Sequence, residues 1–139
     1  MKKLILLLVL SYSLFASNLD IEKKIYRAII YSIFPNKQTI SIWSDDIRKN
    51  NFLSSLHKIR IVKEPSSADM LIIEKPLKTL PDKILFITSY PILEKYKNKA
   101  IGGFYWQKGR PNIIFLDKNL KRFDIKLPDS MQEYIEDEL

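Results

Sequence analysis

No cysteine occurs in the 139 residues, and histidine occurs once, at His57. The first absence removes disulfides, thiolate metal sites and thiol nucleophiles, so the fold must hold together by packing alone. The second leaves little material for a multi-histidine metal centre or a Ser-His-Asp triad. Glycine is nearly as scarce, with three in the chain. A phosphate-cradling loop needs glycines in register so that backbone amides can approach an anion, and Gly102-Gly103 lacks the third. GxSxG, HExxH, Walker and kinase patterns are missing, as is an EF-hand-like loop of oxygen ligands. There is no internal repeat, low-complexity stretch or Gly/Ser linker, which makes one compact unit the expectation. Together these absences point away from familiar hydrolases and transferases, towards a non-catalytic protein without a cofactor.

The chain does have a marked N-terminus. Lys2 and Lys3 precede the uncharged run Leu4 to Phe15, and Ala16-Ser17 supply a small-residue exit. That is the layout of a secretory signal peptide, and the run is short of the roughly 20 apolar residues that span a bilayer. The expectation is a leader over residues 1–16, cleaved after Ala16, and a mature domain over residues 17–139 with no membrane span, located in the periplasm. Leu14 is bulky for its place before the cleavage point, and an uncleaved anchor is the other reading.

Net charge is +7, or +5 once Lys2 and Lys3 are removed. Asp124 to Leu139 carries −5, which leaves the rest of the mature chain at +10. Such a body could attract nucleic acid or anionic headgroups. The lysines are scattered singly, however, and export argues against nucleic acid, so none is expected as a partner.

Periodicity supplies the elements. Asp20 can cap a helix from Ile21 to Phe34 with an apolar stripe of Ile21, Ile25, Ala28, Ile29 and Ile33, leaving Glu22, Lys23 and Arg27 off it. Thr39 to Trp43 alternates as a strand, Ser44-Asp45-Asp46 turns or caps, and a helix carries Phe52, Leu53 and Leu56. Ile59 to Val62 is a short strand. Asp69 to Ile73 contains the apolar run Met70-Leu71-Ile72-Ile73, and Ile84 to Ile87 is apolar throughout, as in parallel strands covered on both faces. Pro76 and Pro81 bracket the loop between them, and Pro91 opens a short helix. Gly103 to Gln107 and Asn112 to Leu116 form a hairpin around Lys108-Gly109-Arg110-Pro111, with Phe104 and Trp106 on one face and Tyr105 and Gln107 on the other. Asp117 starts a helical turn through Leu120 and Phe123. Ser130 and Glu133 match a capping box for a last helix presenting Met131, Tyr134 and Ile135. The fold class is therefore α/β: a single compact domain, its mostly parallel sheet covered by helices, with a late antiparallel hairpin and a C-terminal helix.

Candidate chemistry is sparse. His57 could work as an acid or base, but it falls near a helix end where a surface or capping role is enough. Asp45-Asp46 could form a carboxylate pair only if the backbone turns between them, and capping explains them more simply. The most distinctive segment is the hairpin tip, where aromatics adjoin Lys and Arg as they do in binding hot spots. Phe104 and Trp106 are also candidates for the core. The partner-binding candidates are Tyr105, Trp106, Lys108 and Arg110; no catalytic or metal residue is assigned.

The order of elements resembles the YfiR-like family of small periplasmic α/β proteins. The resemblance runs through Ala68-Asp69-Met70-Leu71-Ile72-Ile73, Ile84-Leu85-Phe86-Ile87-Thr88, the glycine-led hairpin Gly102-Gly103-Phe104 to Asn112-Ile113-Ile114-Phe115, Asn119-Leu120 and Leu127-Pro128-Asp129-Ser130. It covers most of the mature chain as a pattern of elements. The resemblance implies a non-catalytic role: binding the periplasmic part of an inner-membrane signalling protein, such as a diguanylate cyclase or sensor kinase, and restraining it. The cysteine-free chain departs from disulfide-bearing members, so redox control is not carried over. A periplasmic solute-binding protein is the alternative, with its ligand at the strand ends near Ser44-Asp45 and Thr88-Ser89-Tyr90. A hydrolase built around His57 and Asp45 is a third reading.

Overall fold

A computed structural model describes the backbone of residues 2–139 and the side chains of residues 18–139. The expected leader, residues 1–16, lies outside the described side chains. In chain order the strands are β1 (Ile40–Ser44), β2 (Ile59–Ile61), β3 (Met70–Ile73), β4 (Ile84–Ile87), β5 (Gly102–Gln107), β6 (Arg110–Leu116) and β7 (Ile135–Glu136). The helices are α1 (Lys2–Ile33), α2 (Ile47–Leu53), α3 (Tyr90–Lys95) and α4 (Asp117–Arg122). Among the described residues the seven strands form one sheet in the order β2-β1-β3-β4-β5-β6-β7. Strands β1 to β5 run parallel to one another, β5 and β6 are antiparallel, and β7 pairs parallel with β6. The chain thus forms a single α/β domain with a mostly parallel sheet and a late antiparallel hairpin.

Side-chain alternation divides the core between two faces. Ile40, Ile42, Met70, Ile72, Phe86, Phe104 and Phe115 meet α1, α2 and α4 on one face. Leu71, Ile73, Leu85 and Ile87 meet Leu93 of α3 and Ala100 on the other. All four residues of β3 are buried, which is why it reads as a continuous apolar run. Aromatic packing fixes the centre of the larger face, where Tyr26 contacts the rings of Phe52, Phe86 and Phe104.

Four local expectations change. Helix α1 runs through Asp20, so this residue lies within the helix and does not start it. The buried stripe of α1 is Glu22, Tyr26, Ile29, Ile30 and Ile33, while Ile21 and Ala28 face solvent. The hairpin turn is two residues, Lys108-Gly109, both at positive φ (51° and 74°), and Arg110-Pro111 belongs to β6. Two consecutive left-handed residues make the tight turn whose twist suits paired strands. At the C-terminus Asp129–Tyr134 is a 3₁₀ helix with no side-chain cap from Ser130, and Ile135 begins β7. Pairing Phe115 with Ile135 and Leu116 with Glu136 ends the helix after six residues.

The paired glycines are placed by close backbone approach. A Cβ on Gly102 would overlap the carbonyl oxygen of Ile114 on β6, and one on Gly103 would lie 2.7 Å from the carbonyl oxygen of Ile87 on β4. Backbone at these points cannot yield without breaking the ladder that joins the parallel sheet to the hairpin. Gly102→Ala is therefore expected to destabilise by about 1–3 kcal/mol, the range for forcing extra volume into a packed interior. A urea unfolding midpoint within error of the parent would disprove that reading.

Candidate functional site

The carboxyl ends of β1, β3, β4 and β5 define one end of the domain, and α1 enters at this same end. Glu22 of α1 lies beside Trp106 near the hairpin tip, while Tyr31 farther along α1 donates to the backbone carbonyl of His57, next to the start of β2. Helix α1 therefore runs against the strand direction, and its described side chains begin at the hairpin end.

Glu22 links three elements. One carboxylate oxygen accepts from the Trp106 indole N–H at 2.9 Å, and the other lies 3.6 Å from the Arg48 guanidinium on α2. Glu22 is 8 % exposed, and its Oε2 has no hydrogen-bond partner closer than that ion pair. Burial first, and then the negative charge of Glu22, holds the neighbouring Tyr26 phenol well above its ordinary value. Sequence reasoning missed Glu22, because an acidic residue one position from Ile21 reads as solvent-facing. Only partners distant in sequence, Trp106 from 84 positions away and Arg48 on α2, give the carboxylate a reason to be buried.

Asp45 and Asp46 take structural roles at the end of β1. Both Asp45 oxygens accept from the backbone amide of Glu74, at 2.9 and 3.2 Å, and one also accepts from that of Lys75 at 2.9 Å. This ties the exit of β3 to the exit of β1, the place where the strand order reverses and where open α/β sheets receive ligands. Asp46 caps α2 by accepting from Arg48 N–H at 2.9 Å and pairs with the buried Lys49 ammonium at 3.0 Å. The Ser44 hydroxyl accepts from Asp46 N–H, and the Thr88 hydroxyl donates to the Ile73 carbonyl. The polar atoms that a solute would need at this crevice are turned onto the chain itself. His57 lies in the turn after α2, exposed and away from this end.

Burial would raise the carboxyls of Asp46 and Asp69, but hydrogen bonds and nearby positive charge outweigh it and hold both below the ordinary carboxylate range. For Asp69 the donors are Ser41 N–H and the Lys37 ammonium, each at 2.9 Å. A depressed folded pKa means that the unfolded chain takes the proton first. The stabilisation is complete above about pH 4 and is lost as pH falls through the lower folded values. Unfolding midpoints measured across that acid range should converge for the parent and Asp69→Asn. A constant gap would contradict the assignment.

The hairpin tip gathers the partner-binding candidates without joining them into one face. Trp106 is 38 % exposed, with its ring against Phe104 on the α1 side. Tyr105 packs on Tyr90 on the α3 side, with ring centroids 5.4 Å apart. Lys108 and Arg110 are exposed at the tip and border an open groove of about 440 Å³ with Gln107 and Asn112. Strand β4 pairs with β5 only at Gly102 and Gly103, and β7 pairs with β6 only at Phe115 and Leu116. Phe104–Gln107 and Arg110–Ile114 therefore stand beyond the rest of the sheet as a two-stranded ribbon. Among the described residues no helix is long and apolar enough to cross a membrane, and no group of acidic and histidine side chains could hold a metal ion. Compared with protein-family models, curated proteins and solved structures, the chain matches none of them.

Proposed function

We propose that this chain is a non-catalytic regulatory module of the periplasm, similar to the YfiR-like proteins. In this reading it binds the periplasmic part of an inner-membrane signalling protein and biases its output. The observation that supports this most directly is the projecting ribbon, which presents Tyr105, Trp106, Lys108 and Arg110 beyond the parallel sheet. Rigid aromatics beside basic side chains bind with little loss of conformational freedom, and the tight Lys108-Gly109 turn presets the ribbon's shape. The module acts by binding one state of its partner more tightly, which shifts the population towards that state.

The test is a photo-crosslinking residue at Lys108 in growing cells, together with deletion of the chain. The expected product is an adduct with an inner-membrane protein bearing a cytoplasmic signalling domain, whose output changes on deletion. Absence of such an adduct and an unchanged output would end this reading.

A further inference from the structure

We infer that copies of this chain join edge to edge, β2 of one copy pairing antiparallel with β7 of the next, so that their sheets become continuous. This goes beyond the regulatory reading and does not depend on it. The sheet order leaves β2 and β7 as the two outer strands. Both are short, Ile59–Ile61 and Ile135–Glu136, and an open edge is a template on which another strand can pair. The Lys58 carbonyl and the Val62 N–H bond to β1, so alternation along β2 turns the N–H and C=O of Ile61 outward. Strand β2 runs with β1, β3, β4 and β5, whereas β7 runs with β6 in the opposite sense. A second copy added in the same orientation therefore sets β2 against β7 as an antiparallel pair and keeps the two helical faces aligned.

Charge selects this pairing over the others. At the β2 edge Lys58, Arg60 and Lys63 are exposed, against Glu64. At the β7 edge Glu133, Glu136, Asp137 and Glu138 are exposed, and Lys97 and Lys118 share a groove with Asp137 and Glu138. Lys121, which also feels Asp137, is paired with Asp117. The β2 edge thus keeps a positive surplus and the β7 edge a negative one. Among the described residues neither Arg60 nor Glu136 is in an ion pair; Arg60 reaches only the Ser41 hydroxyl, at 3.5 Å. Ile59, Ile61 and Ile135 all meet the larger core cluster, which places Arg60 and Glu136 together on the opposite face. The antiparallel register that sets Arg60 beside Glu136 also sets Ile61 beside Ile135, and brings Lys58 and Lys63 towards Glu138 and Glu133. Opposite charges and apolar pairs directly across a ladder attract, whereas like charges repel. Two β2 edges, or two β7 edges, would face like with like, so the same residues disfavour a twofold dimer. A head-to-tail contact leaves one free edge on each terminal copy, and assembly continues as an open chain or closes as a ring.

The chain has no cysteine, so an introduced one is its single thiol. Full chain carrying Ile61→Cys is mixed with full chain carrying Ile135→Cys and treated with a short bis-maleimide. The expected product is the mixed pair, several-fold above either like pair, and a ladder of oligomers when both cysteines are in one chain. Adding Arg60→Glu to the first chain, or Glu136→Arg to the second, should reduce the mixed product several-fold. Adding both should restore it, a recovery that misfolded variants could not give. Mixed and like pairs in equal yield, as unspecific association through Leu4 to Phe15 would produce, would overturn the inference. So would a mixed product indifferent to either charge reversal. A product linking Ile61→Cys only to itself would mean a twofold dimer through β2, and no link between copies would mean that these edges stay single or take another protein's strand; either result ends the proposal.

Discussion

Asn119→Asp is expected to destabilise the domain by about 3 kcal/mol or more at neutral pH, as expected when a buried group is left charged and unpaired. Asn119 is 3 % exposed, and its side-chain amide donates to the carbonyls of Lys97 and Ala100, at 2.8 and 2.6 Å. Those two bonds tie the start of α4 to the turn that carries the chain from α3 into β5. The substitution sets a carboxylate against two carbonyl oxygens in place of two donors. Burial raises the pKa of the substituted carboxyl in the folded state above its unfolded value of about 3.9. The penalty is therefore small below about pH 4, where the group is protonated in both states, and grows as pH rises. Chemical denaturation of parent and variant at acidic and neutral pH reads this directly. A pH-independent difference would mean that the amide is not buried as described. Asn119→Ala, which only leaves the carbonyls unpaired, should cost less, about 1–3 kcal/mol, without that pH profile.

Phe86→Ala should cost about 3–5 kcal/mol, the range for emptying an aromatic site in a close-packed interior. Phe86 is fully buried at the centre of the sheet, with its ring against those of Tyr26 and Phe115. It therefore joins α1, β4 and β6 within one cluster, and neither ring can fill the space without its own helix or strand shifting. Domains of this size are stable by only about 5–15 kcal/mol, so the variant should melt far below the parent. Phe86→Leu should recover much of the loss, because it restores most of the volume. Equal melting temperatures for parent and Phe86→Ala would contradict the central placement of this ring.

The core strands were legible because burial on both faces leaves a direct trace. Met70 to Ile73 and Ile84 to Ile87 are apolar at every position, and no amphipathic helix needs such a run. The hairpin was legible in its faces, since alternation separates Phe104 and Trp106 from Tyr105 and Gln107 whatever lies around them. Its turn was misread because Lys108 carries no label for a left-handed conformation, and Pro111 looked like a loop residue. On an unpaired stretch of ribbon edge, proline costs no ladder hydrogen bond. Strand β7 was hidden for a similar reason: two residues have no period, and Met131, Tyr134 and Ile135 fit a helix equally well until Phe115 and Leu116 offer a partner.

The candidate site was only half legible. Tyr105, Trp106, Lys108 and Arg110 stand out by composition, and the structure places them on a projecting ribbon. Glu22, buried at the same end, carried no signal, because an acidic residue off the apolar stripe reads as solvent-facing. The sequence alone determined the class of fold, the buried strands and the lack of thiol and multi-histidine chemistry, since these depend on residue type and short-range spacing. Which end of the sheet carries the exposed rings, why a carboxylate lies buried beneath Trp106, and that the outer part of the hairpin pairs with no third strand were decided by tertiary structure. Those features depend on where strands of unequal length stop pairing and on contacts between distant residues, neither of which leaves a periodic trace in the chain.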